Sequence, residues 1–149
     1  MENQNEKVAQ ELKELIDYSK NGKEAYDTAI QNVRNVSVKS LFTDLGNRHQ
    51  EFADELENQV RTLGINYATT SEGRRQSNAW SNAKTAATRG AVHDVLDKFE
   101  RGESEIEQKF EQVLHEASLP TNLKSVLRKQ HESQARVRSH IHELKTSLK

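Results

Sequence analysis

The sequence predicts an all-α protein: four long amphipathic helices, paired as two antiparallel hairpins joined by a long crossover that contains a short helix. Three observations carry this expectation. Apolar residues recur in a three-and-four alternation over four separate stretches, the spacing of one helical face. Only one proline and six glycines occur in 149 residues, and both types disfavour helix interiors. Two of the three connections are short and the third is long and polar.

The first stretch, about Lys7 to Asn35, carries Val8, Leu12, Leu15, Ser19, Gly22, Tyr26, Ala29 and Val33 on one face. The second opens near Ser37, a suitable N-cap, and aligns Val38, Leu41, Phe42, Leu45, His49, Phe52, Leu56, Val60 and Leu63 before Gly64. That glycine can supply a left-handed C-terminal residue. The third carries Val92, Val95, Leu96, Phe99, Glu103, Ile106, Phe110, Val113 and Ala117. The fourth carries Leu123, Leu127, Gln130, Gln134, Val137, Ile141, Leu144 and Leu148, with Pro120 expected in its first turn. Short links at Asn35-Val36-Ser37 and Ser118-Leu119-Pro120 make each pair a hairpin. Residues 65–91 are long enough to run back along the bundle, with a short helix at about Trp80 to Ala87 and Trp80 pinning it down. Within them, Thr69 to Asn78, with Arg74 and Arg75, reads as a solvated loop. Two hairpins joined by one long crossover form the ferritin-like arrangement, here a single domain over residues 1–149.

Each stripe is interrupted near its middle: at Ser19 and Gly22, at His49, at Gly102 and Glu103, and at Gln130 and Gln134. Midpoints of antiparallel rods meet at one level. The sequence therefore predicts a central layer in which His49 and Glu103 pair, while Ser19, Gln130 and Gln134 close the remaining donors and acceptors. Gly22, Gly46 and Gly102 flank this layer inside helices, each costing about 1 kcal/mol relative to alanine. Such placement calls for close backbone approach, a helix irregularity, or room for a guest.

The runs Gly22-Lys23-Glu24-Ala25-Tyr26, Leu41-Phe42-x-x-Leu45, Phe52-Ala53-x-Glu55-Leu56 and Glu100-Arg101-Gly102-Glu103, together with Trp80 and Gln130, resemble a bacterial domain-of-unknown-function family of ferritin-like four-helix bundles, grouped around an uncharacterised pseudomonad protein. The resemblance spans nearly the whole chain. It implies the fold and a binding or stress-associated role, and it supplies no activity.

A di-iron bundle needs a Glu and a Glu-x-x-His pair from each half. Here Ser19, His49, Glu103, Gln130 and Gln134 occupy the inward positions, and Glu24 is expected to face water. The paired-iron chemistry thus lacks its carboxylates. The alternative is a single Fe, Mn or Zn ion on His49 and Glu103, serving a metal carrier or a reduced oxidase. His140 and His142 point about 200° apart on a helix. His93, His115 and His131 fall off the stripes and read as surface residues. Charged residues from Lys98 to Glu111 read as a solvated face with i,i+4 pairs.

The absence of cysteine excludes disulfides, thiolate metal sites and a cysteine nucleophile. A formal net charge of -1 without a basic stripe gives no ground for nucleic-acid binding. The polar opening Met1-Glu2-Asn3-Gln4-Asn5 and the lack of a long apolar run argue against a membrane partner and for the cytoplasm. No catalytic residue and no cofactor are expected. The leading reading is a non-catalytic binding or stress-associated protein, and pairs of bundles could dock through helix faces as a homodimer.

Overall fold

Each apolar stripe becomes a helix in the computed structural model, which describes residues 2–62, 78–89, 91–115 and 119–148. In order these are α1 (Glu2–Asn32), α2 (Val36–Thr62), α3 (Asn78–Arg89), α4 (Val92–Leu114) and α5 (Thr121–Ser147). Among the described residues there is no strand. Gly64 and Arg74-Arg75 lie outside the described residues, as does most of the Thr69 to Asn78 loop.

Several boundaries differ from expectation. Helix α1 begins at Glu2 and closes at Asn32. Ser37 lies inside α2, and the cap is Asn35, whose Oδ1 accepts a 3.0 Å hydrogen bond from the Val38 N–H. Asparagine caps at least as well as serine, and it stands two residues earlier. Pro120 precedes α5 rather than sitting in its first turn: its φ of -60 and ψ of 146 are extended, and its carbonyl accepts from the Lys124 N–H at 2.9 Å.

Two apolar clusters fill the interior, and their membership gives the helix directions. One joins Tyr26 and Ala29 in the C-terminal half of α1, and Val33 just past its end, to the N-terminal halves of α2 (Val38, Phe42, Leu45) and α4 (Val95, Leu96, Phe99), and to Val137 and Ile141 late in α5. The other joins Val8 to Ile16 of α1 with Phe52 to Val60 of α2, Ile106 to Val113 of α4, and Leu123 and Leu127 of α5. Helices α1 and α5 therefore run one way and α2 and α4 the other. The chain leaves α2 beside the second cluster and enters α4 beside the first. At 1.5 Å per residue α1 spans about 46 Å, so the connection covers much of the molecule's length.

Helix α3 packs on both α1 and α4. Its Trp80, Ala83, Ala86 and Ala87 are buried in the first cluster. Helix α1 consequently has three packing neighbours, α2, α3 and α4. Its buried arc is wider than the predicted stripe, taking in Asp17 and Asn21 as well. Lys13 neutralises Asp17 at 3.0 Å. The charged face of α4 is tied across to α5 as well as along itself: Lys145 reaches Glu100 at 2.6 Å and Asp97 at 3.4 Å, and Arg138 reaches Glu107 at 3.1 Å.

Candidate functional site

Between the two clusters lies a polar layer built on Glu103, which is 0% exposed. Helix α4 turns the carboxylate inward at the same level to which the other three long helices bring donors. His49 Nε2 from α2 lies 3.0 Å from Oε1 and 2.9 Å from Oε2, so it carries its proton toward the carboxylate. Gln134 Nε2 from α5 donates to Oε1 at 2.6 Å and to the Glu103 carbonyl at 3.1 Å. The Tyr26 hydroxyl of α1 donates to Oε2. Both carboxylate oxygens are thereby engaged by donors from three helices.

Aromatic rings dry this cluster. Tyr26 stacks on the His49 imidazole with centroids 5.7 Å apart, and Trp80 meets the same ring edge-on at 5.7 Å. Phe42 and Phe99 close on Tyr26 at 4.9 and 4.7 Å. Burial alone pushes the Glu103 carboxyl upward. The attraction and hydrogen bond of His49, with the bonds from Tyr26 and Gln134, outweigh burial and hold it below the ordinary carboxylate range. The Tyr26 phenol is pushed well above its ordinary value, first by burial and then by the adjacent Glu103 charge. Tyr26 thus keeps its proton and serves as a donor.

The glycines explain how Trp80 comes so close. A Cβ on Gly102 would meet three indole carbons at 2.6 to 2.8 Å, and one on Gly22 would meet Trp80 Cζ2 at 3.0 Å. The two glycines form a slot between α1 and α4 that the indole fills, so close backbone approach is the reason for both.

The expected pairing of His49 with Glu103 forms, and Gln134 joins it. Gln130 does not. It is buried, but its amide donates to Glu55 Oε1 at 2.7 Å, because it stands one helical turn below Gln134. Ser19 is buried as expected, and its Oγ makes no hydrogen bond among the described residues. Tyr26 supplies the donor that Ser19 was expected to give. It sits on the apolar stripe, where its ring is indistinguishable from core packing; its position one turn beyond Gly22 was the available signal. Glu24 is half-buried rather than fully exposed. Of the off-stripe histidines, His93, His115, His140 and His142 are exposed, whereas His131 is half-buried.

Residues 7–116 match the model of a family described as Domain of unknown function (DUF2383). The chain belongs to that family. Tyr26, His49, Trp80, Gly102 and Glu103 all fall within the matched span of the family, and Gln134 lies beyond it. No curated protein matches the sequence. Among the described residues, no helix is long and apolar enough to cross a membrane.

Proposed function

We propose that this chain is a ferritin-like bundle whose centre is closed by its own hydrogen bonds, and that it acts as a non-catalytic cytoplasmic binding protein. The directions of the four long helices and the position of the crossover support the ferritin-like relation. A stress-associated role is supported by the family resemblance. The residues do not fit a di-iron centre: among the described residues Glu103 is the one carboxylate in the central cluster, and Ser19, Gln130 and Gln134 stand where further acids would be needed.

One observation carries the closed-centre reading. Both oxygens of Glu103 already accept hydrogen bonds from Tyr26, His49 and Gln134. An ion there would displace those donors and gain only two strong ligands, since amide side chains bind transition metals weakly. The closeness of His49 Nε2 to both oxygens supports the second reading, a single Fe, Mn or Zn ion in place of the shared proton. Calorimetric titration of the wild type and His49→Ala with Fe(II), Mn(II) and Zn(II) separates the two. The closed centre predicts that His49→Ala changes no metal affinity. An ion whose binding disappears in that variant establishes the metal reading.

A further inference from the structure

We propose a divalent transition-metal site on the flank of the bundle, made by Glu107 and Glu111 of α4 and His131 of α5. It is separate from the central cluster and goes beyond the binding role above. One ligand atom from each of the three side chains lies within 4.8 Å of the other two. Among the described residues, no other three His, Asp or Glu side chains converge in this way.

The placement follows from the fold. Glu107 and Glu111 are four apart, which puts both carboxylates on one strip of α4, and α5 brings His131 across to them. The imidazole rests near Phe110, with centroids 6.2 Å apart. Its Nε2 faces Glu111 Oε1 at 3.6 Å, beyond hydrogen-bonding range. His131 Nε2 and Glu107 Oε2 are both shielded from solvent, and neither makes a hydrogen bond among the described residues. A desolvated imidazole nitrogen and a desolvated carboxylate oxygen within one such cluster each hold a lone pair suited to a cation. Glu107 Oε2 already attracts one, the Arg138 guanidinium at 3.1 Å. That side chain is 46% exposed and free to swing away as an ion enters.

One imidazole and two carboxylates suit zinc, and manganese or ferrous iron after it. Tetrahedral ligands about 2.1 Å from zinc stand about 3.4 Å apart. Small side-chain rotations bring the three atoms to that spacing, and water supplies the fourth ligand.

The test is calorimetric titration of the full chain with Zn2+ alone. One ion per chain is expected, with affinity falling at least about tenfold in His131→Ala and in Glu111→Gln and unchanged in His49→Ala. Circular dichroism checks that each variant is folded, and His131→Gln, which keeps the side chain's bulk, reads the same loss if the alanine variant unfolds. Absence of saturable binding, or binding undiminished in the His131 and Glu111 variants, overturns the site. Binding that survives in those variants and vanishes in His49→Ala overturns both this site and the closed centre.

Discussion

Glu103 and His49 are partners whose removal has unequal consequences. Glu103→Leu leaves the Tyr26 hydroxyl, His49 Nε2 and the Gln134 amide aimed at an apolar side chain. Each orphaned donor costs about 1–3 kcal/mol, and breaking a buried pair typically costs about 3–5 kcal/mol in total. His49→Leu removes one donor and leaves the carboxylate with two, at about 1.5–3 kcal/mol. Urea unfolding should therefore show a lower midpoint for Glu103→Leu than for His49→Leu at similar slope; the reverse order would show that the imidazole is the indispensable member. The same carboxylate sets an acid limb. Because its folded value lies below the ordinary one, its contribution is fully present above about pH 4.3 and is lost as pH falls through the folded value. Glu103→Gln should flatten that limb in a series of melts below pH 5, and an unchanged limb would assign acid sensitivity to other carboxylates.

At the scale of elements, the slot for Trp80 outweighs helix propensity. Alanine at Gly102 gains about 1 kcal/mol of intrinsic helix preference, yet its Cβ would press a rigid, enclosed indole at 2.6 Å. Gly102→Ala should lower the melting temperature for that reason. Trp80→Ala, which empties the slot, should cost about 3–5 kcal/mol. In the double variant the two losses should be less than additive, because the clash has lost its target; strict additivity would place the glycine's role elsewhere. These elements also show how much was legible in advance. The helices and the mid-length polar layer followed from spacing, because burial on one face imposes it, and the hairpin pairing followed from the two short connections. The glycines marked a close approach without naming its guest, since no periodicity relates Trp80 in a polar connection to two distant helices. Asp17 and Asn21 fall off the stripe read from the sequence, yet they are buried in a helix that packs against α2, α3 and α4. Gln130 and Gln134 shared a stripe, but one helical turn separates a partner of Glu103 from a partner of Glu55.

Across the whole molecule, two apolar clusters flank one polar layer. Apolar packing tolerates many registers, whereas shifting any long helix by one turn would strand a donor or the carboxylate of Glu103. The layer thus fixes relative helix heights, as a buried polar residue fixes register in a coiled coil. Helix α3 is bound into the same unit, because Trp80 touches the slot glycines and the His49 ring at this level. Undocking α3 would open an indole-sized void beside a buried carboxylate. Trp80 is the sole tryptophan of the chain and is 1% exposed, so its emission reports that docking, while far-ultraviolet circular dichroism reports all the helices. In urea the two signals should change together, with one midpoint for both. A fluorescence transition that precedes the loss of helix would mean that α3 leaves as a separate unit and that the slot contributes little to holding α1 on α4.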